Sequence, residues 1–194
     1  MKNKKKTLLM SLAAVLLVAA GVFGTLAYLT SQSEVVTNTF TVGTVDITLD
    51  EALVGENGKE IEGEGAERVP ANSYKLIPGT SYDKDPTVHV TAGSEDSWLF
   101  VELNNTLKEF IEVEEIENQM IKNNWVLVDE EKGIWRQEAQ VTAGIDYVLF
   151  KNFTVKSDVE KDAKPEDLTV KAFAIQAENL EDPAEALKKV SFKQ

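Results

Sequence analysis

Residues 7–29 carry no charge, and the six residues before them, MKNKKK, hold four lysines and no acid. Few structures accommodate a run of that length, so it divides the chain before anything else is read. Its most apolar part is LLMSLAAVLLVAA at residues 8–20, followed by Gly21 and Gly24. A basic start, an apolar middle and a small-residue end form the pattern of a secretory signal. Signal peptidase needs small side chains three residues and one residue before the cut. Thr25 and Ala27 meet that need and make Tyr28 the new N-terminus. Residues 1–27 are read as a signal helix and residues 28–194 as one secreted domain. The alternative is a retained anchor, since about 20 apolar residues span a bilayer. The lysines keep the N-terminus cytoplasmic in either case, and the remainder lies outside.

Removing the four leader lysines leaves 16 basic residues against 33 acids, a net charge of −17. Such a surface repels nucleic acid and anionic lipid, so membrane contact is expected only through an uncleaved signal. There is no cysteine, which excludes disulfides and thiolate metal sites. An exported domain of this kind must be held together by packing.

The domain opens on strands. At residues 44–51, Val45, Ile47 and Leu49 alternate with Asp46, Thr48 and Asp50, which is the period of a half-buried strand. Residues 52–77 then hold four glycines and five glutamates and read as a long, mobile, acidic loop. Val88 and Val90 point inward from the next strand, with His89 outward. SWLFVEL at residues 97–103 reads as a central strand. Thr106-x-x-Glu109 is a capping-box pattern and predicts a helix over 107–122 with Phe110, Val113, Ile116 and Met120 near one face. A strand over 110–116 is the other option. WVLV and IWRQ flank a turn ending in Gly133, a hairpin signal. YVLFKNFTV at 147–155 reads as one strand, bulged near Lys151 and Asn152. Residues 168–177 alternate Val170, Ala172 and Ala174 against Phe173 and Ile175. Asp182-Pro183 starts a short helix that ends near Lys189. The expected fold is mainly β, an antiparallel jelly-roll-like sandwich with one or two short helices.

Chemistry is sparse. The single histidine, His89, cannot supply the two histidines of a zinc HExxH helix. Asp83 and Asp85 beside the Pro78-Gly79 turn are conceivable metal ligands, but turn acids are the plainer reading. No serine sits in a GxSxG context, and turn chemistry accounts for Ser94. Asn104 and Asn152 open glycosylation-type triplets. Trp98, Trp125 and Trp135 could line a carbohydrate face, yet each lies in an apolar run suited to a core. No catalytic residue, metal ligand or cofactor site is assigned, and no enzyme activity is expected. No LPxTG-like tail points to covalent wall attachment.

Gly24-Thr25-Leu26-Ala27-Tyr28, Asn38-Thr39-Phe40 and Gly43-Thr44-Val45-Asp46-Ile47 with Leu49 resemble the signal region and first strand of SipW-dependent, alternate signal-mediated exported proteins. That group includes the TasA and camelysin (CalY) biofilm-matrix proteins. Pro78-Gly79 with Lys84-Asp85 and the tract VKAFAIQA at 170–177 are similar too. The resemblance implies a jelly roll, export past a dedicated signal peptidase, and an extracellular matrix or cell-surface location. It also implies fibres in which the freed N-terminal segment of one copy adds as a strand to the next. The donor would lie within residues 28–42, with Val35, Val36, Phe40 and Val42 filling apolar slots. Camelysin has been classed as a metallopeptidase, but one histidine and no zinc motif do not carry that activity over. Three readings follow: a structural matrix protein, a monomeric adhesin-like surface module, and a secreted hydrolase.

N-terminal sequencing of the exported protein is expected to start within a residue or two of Tyr28. An extracellular product that still begins at Met1 would overturn the cleavage.

Overall fold

The computed structural model describes residues 44–159, 165 and 167–190, all within one compact unit. The signal region and the candidate donor segment lie outside the described residues. In β1 (Ile47–Ala52), Ile47 and Leu49 pack against the core and Thr48 is exposed, as the alternation requires. The chain continues through β2 (Arg68–Val69), β3 (Ser81–Asp83), β4 (Thr87–Val90) and β5 (Ser97–Asn105). Helix α1 (Val113–Lys122) leads to β6 (Trp125–Asp129), β7 (Ile134–Gln137), β8 (Asp146–Val148) and β9 (Asn152–Thr154). β10 (Leu168–Gln176) and α2 (Pro183–Lys189) complete the described elements.

The protein is mainly β, and every strand pairing among the described residues is antiparallel. One four-stranded sheet runs β2-β1-β4-β8, a second runs β10-β5-β7-β6, and β3 pairs with β9. Ile47 faces Val90 and Leu49 faces Val88 across β1 and β4. β5 and β10 pair over nine residues, from Ser97 with Gln176 to Asn105 with Leu168.

β5 is buried on both faces, which explains its nearly unbroken apolar run. Leu99, Val101 and Leu103 join Val88, Val90, Ile116, Met120, Trp125 and Trp135 in the main core. Trp98 and Phe100 point the other way, into a smaller cluster with Ile134, Leu180 and Ala186 of α2. The Trp98 indole N–H donates to Leu180 O at 2.6 Å, so the ring's polar edge is satisfied where it is buried. β10 divides likewise: Val170, Ala172 and Ala174 serve the main core, Phe173 and Ile175 the smaller one. In α2 the Asp182 carboxylate caps Ala184 N–H at 2.8 Å, with Pro183 in the first turn.

Two expectations are corrected. The first helix begins at Val113, not Leu107. The Thr106 hydroxyl donates to Asp167 O at 2.6 Å, so the capping box does not form. Ile111 instead bridges Val155, and Glu112 N–H donates to Thr154 O at 2.9 Å. Pairing to the β9 region, with Leu107 and Ile111 buried, outweighs one local cap worth about 1 kcal/mol. The single strand expected over 147–155 is two strands in different sheets. Leu149 and Phe150 between them are fully buried, and Leu149 N–H turns to Pro86 O at 2.8 Å.

Residues 52–77 have little regular structure but many fixed contacts. β2 pairs with the end of β1, Val54 bridges Glu60, and Leu53 N–H donates to Glu67 O at 2.9 Å.

The β6–β7 turn depends on Gly133. Its φ is +64°, and a Cβ there would lie 2.4 Å from Leu103 O. Gly93 has φ +90° with open space around it. In urea unfolding, Gly133→Ala is expected to cost roughly 2–4 kcal/mol, through backbone strain plus displacement of β5, and Gly93→Ala about 1 kcal/mol from strain alone. Equal losses at the two sites would refute the close approach.

Candidate functional site

β1 and β10 approach each other, and beside them lies a groove of about 540 Å³. Leu49, Leu107, Ile111, Leu168 and Val170 give it apolar walls. Asp50, Glu51, Asn72, Tyr74 and Lys84 give it a polar end. Among the described residues, 168–172 of β10 pair with no strand other than β5, and 47–49 of β1 pair with none other than β4.

The polar end is built by the phase of β1. Glu51 follows Val45, Ile47 and Leu49 on the inward side, so its carboxylate is carried inside and is 4% exposed. A buried carboxylate needs partners. Lys84 Nζ contacts Glu51 Oε2. Asn72 gives Oε1 its backbone N–H at 2.8 Å and its side-chain Nδ2 at 3.0 Å. Nδ2 also donates to Ala52 O at 2.8 Å, while Asn72 Oδ1 accepts Val54 N–H at 3.0 Å. The Lys84 ammonium lies 5.6 Å from the centre of the Tyr74 ring, which meets Phe153 edge to face. Burial, then the charges of Glu51, Asp85 and Asp83, push the Tyr74 hydroxyl well above its usual range. That hydroxyl donates to Asp83 O at 2.9 Å.

On the other side of β1, His89 sits between two carboxylates. Nε2 meets Asp50 at 2.8 Å and Nδ1 meets Asp146 at 2.6 Å. Register explains this, because His89 lies opposite Thr48 of β1 and Asp146 of β8, and Asp50 is two residues from Thr48 on the same face. Two carboxylate acceptors call for two N–H donors, so the ring is held as imidazolium. Partial burial lowers its pKa, but the hydrogen bonds and charges of Asp50 and Asp146 outweigh that and raise it. For Asp50, burial pulls upward, yet Arg68 and His89 together hold the carboxyl below its ordinary value. Arg68 also reaches Asp85 Oδ2 at 2.9 Å.

This arrangement limits chemistry. With both nitrogens engaged, His89 has no free lone pair to act as a general base or to bind zinc. Asp85 caps Ala52 N–H at 2.6 Å, and Asp83 takes Lys59 Nζ and Glu60 N–H at 3.0 Å each. The two candidate metal ligands are therefore committed to holding residues 52–68, and no group of three or more acids and histidines among the described residues is placed for a metal. Trp98, Trp125 and Trp135 are buried and form no sugar-binding face. The Ser94 hydroxyl accepts from Asp46 N–H and donates to Asp46 O, both at 3.1 Å, so beyond its turn it ties that turn to the residue ahead of β1. Thr25, Ala27, Tyr28, Val35, Val36, Phe40 and Val42 lie outside the described residues. No described helix is long and apolar enough to cross a membrane.

Sequence reasoning missed the Glu51–Asn72–Lys84 cluster. Its one signal was a glutamate in the inward phase of an alternating strand. No protein-family model, curated protein or solved structure matches the chain.

The His89 clamp has a signed pH dependence. A raised folded pKa means its contribution is fully present below about pH 6.5, the unfolded value, and is lost as pH rises through the folded value. Urea unfolding should show wild type more stable than His89→Gln by at most about 1 kcal/mol near pH 5.5, since the pair is solvent-screened. That margin should shrink above neutrality, and one that grows with pH would contradict the clamp.

Proposed function

We propose that the protein is an exported extracellular structural protein of the biofilm-matrix type, built on a jelly-roll-like sandwich. It polymerises head to tail when residues 28–42 of one copy, freed by a signal peptidase, add as a strand to the next. The observation that carries this reading is the β1–β10 groove. It joins strand sides that have no second strand partner among the described residues to a row of apolar slots lined by Leu49, Leu107, Ile111, Leu168 and Val170. An extended donor with Val35, Val36, Phe40 and Val42 suits such a site, because main-chain hydrogen bonds bind it and side-chain slots set its register. Donation from one copy to the next does not close on itself, so a filament follows. Two four-stranded antiparallel sheets sharing one core support the sandwich. The doubly engaged His89 weighs against a secreted metallopeptidase.

Electron microscopy of the mature chain beginning at Tyr28 is expected to show filaments, and a version lacking residues 28–38 none. Unchanged filaments without the segment, or none from either form, would sink the reading; a monomeric adhesin-like surface module would then replace it.

A further inference from the structure

Glu51 holds a primary amine on one carboxylate oxygen and a carboxamide on the other. Lys84 Nζ sits on Oε2, and Asn72 Nδ2 donates to Oε1 at 3.0 Å. The Asn72 amide has one orientation, since Nδ2 faces two acceptors and Oδ1 faces the Val54 N–H at 3.0 Å. The Lys84 and Glu51 side chains are only 11% and 5% exposed, and the Tyr74 ring shields the lysine. A buried ion pair gives little net stability over apolar packing, so stability alone does not account for this cluster. Amine, carboxyl and amide together are the set needed for an amide exchange.

We infer that Asn72 and Lys84 are joined side chain to side chain by an isopeptide bond that Glu51 promotes. Across the Nζ–Oε2 contact Nζ passes one proton to Glu51, leaving a neutral amine and a carboxylic acid. Nζ then attacks Asn72 Cγ, and the carbonyl electrons move onto Oδ1, where the Val54 N–H stabilises them. The Cγ–Nδ2 bond breaks as the Glu51 acid gives that same proton to the leaving nitrogen. Glu51 takes the second Nζ proton and passes it to the departing ammonia, so ammonium leaves and the carboxylate is restored. One C–N bond forms, one breaks, and nothing is oxidised or reduced. Holding the partners on one carboxylate supplies the proximity that ordinary amine and amide lack in water. The bond would tie the glycine-rich acidic segment to the end of β3, in a chain with no cysteine to do so.

The test is intact mass and peptide mapping of the folded, purified protein. Wild type is expected to be lighter than its sequence by one ammonia and to yield a branched peptide linking Asn72 to Lys84. Glu51→Gln should keep the full sequence mass. So should Lys84→Arg, which retains the cation beside Glu51 and covers the case in which the first variant does not fold. Full mass in folded wild type after long incubation would overturn the inference. So would ammonia loss without the branched peptide, as from a succinimide, or a link that persists in Glu51→Gln.

Discussion

Strand β5 sets the terms for the rest of the fold. Its residues alternate between two apolar clusters, so neither face can be left in water. Burying a side chain such as Leu99 or Phe100 is worth roughly 1.5–3 kcal/mol, and β5 places several on each side. The main core must therefore cover one face, and α2 with its Asp182 cap must cover the other. β10 follows from the same constraint: a nine-residue partner that matches β5 in register also matches its two-faced pattern. α1 completes the main core through Ile116 and Met120.

The acidic segment before β3 is held by a different force. Only its end packs on the main core, through Tyr74 and Leu76; the rest offers few apolar groups, and its glutamates repel one another. Its order comes from a handful of polar anchors on β1 and around β4. Glu51 takes Asn72 and Lys84, Asp85 takes Ala52 and Arg68, and Asp83 takes Lys59 and Glu60. Gly58 is needed for this fit, because a Cβ there would run into the Tyr82 ring at 2.1 Å. Of these anchors, Glu51 with Asn72 and Lys84 also forms the polar end of the groove, so part of the candidate site's wall is also a tether of the segment.

Much of the strand content was legible because it depends on period two and turn chemistry, both local. Ile47 and Leu49, the two-sided pattern of β10, the hairpin at Gly133 and the start of α2 at Asp182 all read directly from neighbours in the chain. The reading failed where a distant partner outbid a local one. Thr106 abandoned its capping box for Asp167, and residues 149–151 broke a continuous apolar run because two sheets claimed its ends. Asp83 and Asp85 looked like free turn acids because the groups that occupy them lie 17 to 33 residues away.

By itself, the order of residues determined the division into an uncharged, apolar N-terminal run and an acidic body, the absence of disulfides, and which side of most strands is apolar. These are properties of composition and short-range spacing, and no tertiary partner can change them. Only the tertiary structure decided which strands pair, where the first helix begins, and that Glu51, Asn72 and Lys84 meet in one buried cluster. The physical reason is that loop closure costs little for long connections, while a buried polar group left alone costs several kcal/mol. Partners far apart in the chain therefore win wherever they satisfy one another.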